Sequence, residues 1–172
     1  VMAGEVTAET ALVFDDNGAH PALMAAEVLA KAGTKVRFVT PERMVAPLVG
    51  GTNHPAYMKA FGEEDVEISL NLNLTRVTRE GNRLTAHLWN EYADRTETAT
   101  VDKVVVEHGT LPLSEVYEAL KPLSRNGGAL DHRAFIGIKP QTHVRNPEGA
   151  FQLFRIGDAV SSRNIHAAVY DG

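Results

Sequence analysis

Three stretches of this chain carry residue types whose spacing could do chemistry. The first is Asn17-Gly18-Ala19-His20-Pro21-Ala22, which follows an apolar run and opens an alanine-rich segment. In a dinucleotide-binding βαβ unit this turn reads G-x-G-x-x-G, with glycines for the tight turn, the close approach of pyrophosphate and helix–strand packing. Here only the unconstrained second position, Gly18, is glycine. Asn17 tolerates the left-handed turn, Ala19 puts a methyl group where the diphosphate approaches, and Ala22 is a mild change. Asp15 and Asp16 add two carboxylates at the mouth, against the attraction of a helix N-terminus for phosphate. Each like-charge contact at ~4 Å costs roughly 1–4 kcal/mol, so two of them offset a micromolar affinity of about −8 kcal/mol.

The second stretch is Gly157-Asp158-Ala159, directly after the apolar Phe151–Ile156. On residue type alone Asp158 reads as a turn or helix-capping acid. The third is the set of seven histidines at 20, 54, 87, 108, 132, 143 and 166. They show no metal-ligand spacing. Glu107-His108 and Asp131-His132 are possible acid/base pairs, but neighbours on a strand face opposite sides. No G-x-S-x-G elbow or P-loop is present.

Composition excludes several classes. Lys and Arg number 17 against 22 Asp and Glu, a net charge of −5 without the basic clustering that nucleic acid requires. The absence of cysteine removes disulfides, thiolate chemistry and any iron–sulfur cluster held by this chain. No apolar run approaches the length of a membrane span and no signal peptide opens the chain, so the expectation is a cytoplasmic protein without a membrane partner. The abrupt ends, Val1 and Tyr170-Asp171-Gly172, suggest a piece of a longer polypeptide.

The elements that position these residues follow from periodicity. Ala11–Phe14 predicts a buried strand, Pro21–Ala32 a helix closed by Gly33, and Lys35–Thr40 a second strand: a βαβ unit with a parallel sheet. Glu42 and Arg43 follow the second strand, where an acid would meet a ribose and an arginine a 2′-phosphate. Val45–Asn53 reads as a loop and His54–Phe61 as a short helix capped by Asn53. Residues 66–75, 84–89 and 96–101 alternate with period two, predicting a three-stranded antiparallel meander that carries Trp89 as a packing residue. Lys103–Val106 reads as a return to the parallel sheet. Further on, Leu113, Val116, Tyr117 and Leu120 form a helical stripe, and a strand is possible at 134–138. Phe151–Ile156 reads as a strand, and a helix near Asn164 has Ile165, Ala168 and Val169 on its inner face. The fold class is α/β: a Rossmann-like parallel sheet with helices and a three-stranded antiparallel meander as crossover.

This order, together with Val13–Gly18, Leu153–Val160 and Arg163–Gly172, resembles the C-terminal region of a flavoprotein family. That family contains trimethylamine and dimethylamine dehydrogenase, histamine dehydrogenase and 2,4-dienoyl-CoA reductase, and the likeness is greatest to N-methylproline (stachydrine-type) demethylases. The resemblance covers nearly the whole chain. It implies a longer protein with an FMN barrel, a 4Fe–4S cluster and two nucleotide-binding domains, one inserted in the other. Residues 1–150 would then be the inserted NAD(P)-binding-like domain, and 151–172 a returning strand and helix of the FAD- or ADP-binding domain. Gly157 and Asp158 match the motif that meets the flavin ribityl chain, with Asn164 and Ile165 starting the helix that points at it. Asn17, Gly18, Ala19 and His20 match the phosphate loop.

The implied partners are the rest of the same polypeptide, meaning the barrel and the FAD domain, and a protein electron acceptor. Barrel and cluster residues are missing from this stretch, so no redox reaction is expected of it alone. Three readings stand at this level. The chain is a scaffold domain of an amine or N-methyl oxidoreductase with a degenerate dinucleotide loop, a working NAD(P)H domain that feeds hydride to flavin, or a free-standing nucleotide sensor. The flavin-like tail disfavours the last.

Overall fold

The structure is a computed structural model that describes residues 8–171. It divides into two units, Val1–Gly109 and Thr110–Gly172.

In the first unit, strands β1 (Thr10–Asp15), β2 (Lys35–Val39), β3 (Glu67–Ser69) and β7 (Lys103–Glu107) form a parallel sheet in the order β3-β2-β1-β7. The run Ala11-Leu12-Val13-Phe14 is uninterrupted because both faces of β1 are covered. Ala11 and Val13 pack with Leu23, Ala26 and Leu29 of helix α1 (His20–Lys31) and with Phe61 of α2 (His54–Glu63). Leu12 and Phe14 face the other way, onto Ala86, Leu88 and Val101. Those residues belong to the antiparallel sheet β4 (Asn73–Glu80), β5 (Arg83–Asn90), β6 (Arg95–Val101). The unit is therefore three layers, helices, parallel sheet and meander, and the meander takes the place of a crossover helix.

Helix α1 begins and ends as its sequence requires. Pro21 occupies the first turn, where no N–H partner is lost. Gly33 adopts φ +86°, and the N–H groups of Gly33 and Thr34 return to the carbonyls of Ala30 and Leu29. Helix α2 forms where expected, but Asn53 does not cap it through its side chain. Its backbone is already helical (φ −96°, ψ −32°), whereas a capping side chain needs extended geometry. The alternating segment 66–75 is two elements rather than one. β3 joins the parallel sheet beside β2, Asn71 turns through φ +57°, and Leu72 drops into the core before β4 starts. The last strand is fastened to the first: Asp102 Oδ2 accepts from both the N–H and the hydroxyl of Thr10, at 2.9 and 2.8 Å. These hydrogen bonds hold the Asp102 carboxyl below its ordinary value.

The second unit contains α3 (Glu115–Leu120), α4 (His132–Ile136) and α5 (Ile165–Asp171), joined by long irregular segments. Two expected strands are absent among its described residues. The segment at 134–138 is helical because Asp131 caps it, accepting from the N–H groups of Arg133 and Ala134. Phe151–Ile156 runs without a strand ladder. The buried Asn126 side chain holds it instead: Leu153 N–H donates to Asn126 Oδ1, and Asn126 Nδ2 donates to the carbonyls of Leu153 and Ala129. The predicted inner faces of the helices are also exposed. Leu113, Val116, Ile165 and Val169 all lie at the surface of this unit.

Candidate functional site

In an open parallel sheet the ligand crevice lies at the carboxyl ends of the strands, where the order reverses. Here that point falls between β1 and β7, whose terminal residues Asp15 and Glu107 are in register. The phosphate loop Asn17–His20 leaves from this end of β1, so the fold places the sequence-predicted loop residues together at the switch point. What fills the loop differs from a dinucleotide site.

Asp15 does not stand at the mouth as a surface acid. It is 0% exposed, and its Oδ1 accepts from the backbone N–H groups of Asn17 (3.1 Å) and Gly18 (2.9 Å). These are the donors a pyrophosphate would need. The chain's own carboxylate has taken them. The second oxygen, Oδ2, is buried and has no hydrogen-bond partner among the described residues. Burial pushes the Asp15 carboxyl up, opposed by the two N–H donors and reinforced by the nearby Glu107 and Asp16 charges.

The surroundings close the loop further. Asp16 is exposed and lies 2.6 Å from Nδ1 of His108, whose ring meets Phe14 edge-on. Glu107 Oε1 accepts from Gly109 N–H (2.7 Å) and from Asn17 Nδ2 (3.3 Å). Gly18 has φ +72°, and a Cβ there would meet Pro47 Cδ at 2.9 Å; Leu48 N–H also donates to the Gly18 carbonyl. The loop after β2 thus folds back over the phosphate loop. Ala19 begins the helix without a side-chain cap, and His20 Nδ1 lies 3.2 Å from the Tyr57 hydroxyl on α2. Glu42 and Arg43 are exposed. Around the loop, then, the Asn17 and Gly18 N–H groups are engaged by Asp15, Pro47 lies against Gly18, and the carboxylates of Asp15, Asp16 and Glu107 gather at the strand ends. Sequence reasoning had the acids but missed the inward turn of Asp15 and the cover from Pro47 and Leu48.

The raised Asp15 value has a stability consequence. The native state keeps a proton that the unfolded chain, with an ordinary value of 3.8, has lost. Stability from this group is therefore largest below that value and falls as pH rises through the window above it. Asp15→Asn is expected to remove the slope. Urea unfolding across the acid range, followed by the emission of the single tryptophan, Trp89, checks this; a wild-type-minus-variant difference that rises with pH contradicts it.

The tail residues lie in the second unit. Gly157 turns at φ +55° and is buried, its N–H donating to Asp171 Oδ2. Asp158 is exposed; its backbone carbonyl accepts from Leu113 N–H, and its side chain makes no hydrogen bond among the described residues. Asn164 Oδ1 accepts from Ala167 N–H and so caps α5, while Ile165 is exposed at the start of that helix. Asn164 thus serves its own helix. Among the described residues no group of three or more His, Asp or Glu is arranged to hold a metal ion, and no helix is long and apolar enough to cross a membrane.

No protein-family model matches the chain. It is 49% identical over 160 residues to a probable N-methylproline demethylase of Rhizobium meliloti, covering 93% of this chain and 24% of that protein. It is 39% identical over 176 residues to an N,N-dimethylglycine/sarcosine dehydrogenase of Chromohalobacter salexigens, covering 99% of this chain and 25% of that protein. Histamine dehydrogenase from Rhizobium sp. 4-9 superposes with a TM-score of 0.64 at 22% identity, over 95% of this chain and 22% of that one. The chain thus spans about a quarter of the length of the curated relatives it matches.

Proposed function

Taking as premise a chain related, as a segment of about a quarter of their length, to the N-methylproline demethylase and dimethylglycine/sarcosine dehydrogenase proteins of this flavoprotein family, we propose that it is a nucleotide-binding-like scaffold. It belongs to a longer flavin-dependent amine or N-methyl dehydrogenase or demethylase and has no working nicotinamide site. FMN, FAD or ADP and a 4Fe–4S cluster are held by that longer protein, which is the chain's principal partner. A protein acceptor, rather than NAD(P), takes the electrons. Asp158, with Gly157, Asn164 and Ile165, is the part of this chain turned toward the flavin. One observation carries the reading: the Asp15 carboxylate sits on the Asn17 and Gly18 N–H groups.

The test is a fluorescence titration of the chain with NADH and with NADPH at low salt, beside a melting curve that establishes folding. No saturable binding up to about 1 mM, an affinity near −4 kcal/mol, is the expected result. Micromolar binding of either nucleotide would instead favour a domain that receives hydride from NAD(P)H and passes it to flavin.

A further inference from the structure

A second concave site lies in the first unit and shares no residue with the phosphate loop. It is a cavity of about 330 Å³ between the β2–β3 edge of the parallel sheet and the β5–β6 turn. A volume of this order suits a small organic ligand.

Its walls differ in chemistry. One wall is Arg37, which is fully engaged: its Nε donates to Ser69 Oγ and lies 3.0 Å from Glu67 Oε1, and its Nη2 pairs with Glu97 at 2.5 Å. These contacts leave no Arg37 charge unpaired, and they also consume the Glu97 carboxylate. The opposite wall comes from the hairpin end, where Arg95 stands in register with Asn90, and Thr96 with Trp89. No carboxylate lies within 4 Å of Arg95 among the described residues. Asn90 Oδ1 accepts from the N–H groups of Tyr92 and Ala93, which fixes the amide and leaves its Nδ2 as a donor without a partner among the described residues. Leu70, Leu72 and Ala93 supply apolar lining.

A guanidinium without an acid and an oriented amide donor, beside short aliphatic side chains, complement an oxyanion attached to a small apolar body. We propose that this cavity binds a small aliphatic carboxylate, held by Arg95 and Asn90, which share one face of the hairpin, over Leu70 and Leu72. The site goes beyond the scaffold reading and does not depend on it. Arg95 supplies the charge, Asn90 fixes orientation, and the leucines select a short hydrocarbon body over a bare inorganic anion.

The sole tryptophan is a built-in reporter. Trp89 adjoins Asn90, and its Nε1 donates to Asp94 Oδ1 within the same turn. The full chain is titrated with sodium isobutyrate against sodium chloride at matched ionic strength, with isobutanol and sodium phosphate as comparators. Saturable change in Trp89 emission is expected for isobutyrate alone. Arg95→Gln is expected to weaken it by about tenfold or more, the worth of one charge-assisted contact, while Arg79→Gln on β4 leaves it unchanged. Wild-type amide shifts should concentrate at Leu70, Asn90 and Thr96, which keeps the test decisive if Arg95→Gln does not fold. Absence of saturation, shifts centred elsewhere, equal loss in the two arginine variants, or phosphate matching isobutyrate would overturn the proposal.

Discussion

Replacing both Asp15 and Asp16 with glycine should create or improve saturable NADH binding. Two effects add. The Asn17 and Gly18 N–H groups lose the carboxylate that now occupies them and become available to a diphosphate. Two negative charges also leave the crevice, each worth roughly 1–4 kcal/mol against a phosphate at contact distance. Even ~3 kcal/mol in total moves a dissociation constant from about 1 mM to about 10 µM. Asp15→Gly alone should give most of the gain, because Asp15 is buried and unscreened while Asp16 is exposed and its charge is attenuated by salt. A folded double variant that still ignores NADH would show that Pro47 and the missing glycines, not the acids, close the site.

The largest destabilisation is expected from Gly149→Ala in the second unit. A Cβ at Gly149 would sit 2.4 Å from the Arg125 backbone N and 2.6 Å from its Cα. No side chain can rotate away to relieve this, since the neighbours are main chain. Arg125 N–H donates to the Phe151 carbonyl, and its own carbonyl accepts from the N–H groups of Arg145 and Asn146, so the clash lies inside the set of bonds that joins these segments. The cost is about 3 kcal/mol or more, enough to raise the locally open population about a hundredfold. Limited proteolysis within 124–151 reads this directly. Gly62→Ala, at the end of α2 with nothing within 4 Å of the new methyl, is the matched control and should be neutral or slightly stabilising. Similar cleavage rates in the two variants would refute the packing argument.

Where the sequence pattern was strong, the fold could be read from it. Ala11–Phe14, the α1 stripe with Pro21 and Gly33, and the alternation through β5 and β6 each carry a periodicity that only one element satisfies. The failures share a cause: a single side chain overruled the pattern. Asn71 broke an alternating run by taking a left-handed turn, Asp131 capped a helix where β-like residues follow, and Asn126 supplied through its amide what a neighbouring strand would have supplied. The apolar stripes of α3 and α5 are real, but Val116, Ile165 and Val169 on them are exposed in the second unit. The site was legible in kind and not in geometry. An Asp-Asp pair before a degenerate glycine loop signals a hostile environment for phosphate, yet whether Asp15 faces solvent or turns onto its own backbone depends on two torsions that no composition encodes.

The pairing of β1 with β7 also sets the order in which this unit is built. Thr10 and Asp102, joined by side-chain and backbone hydrogen bonds, are 92 residues apart, and closing a loop of that length costs about 4 kcal/mol in chain entropy plus a constant. The meander shortens that gap, because its two hairpins zip from contacts only a few residues apart. During synthesis at about 5–20 residues per second, β1 waits several seconds or more for its partner strand to emerge. Throughout that interval the Leu12–Phe14 face has no meander to cover it. The nascent first half is thus the aggregation-prone stage of this protein's life, and substitutions that slow the β4–β5 hairpin should lower soluble yield more than they lower the stability of the finished fold.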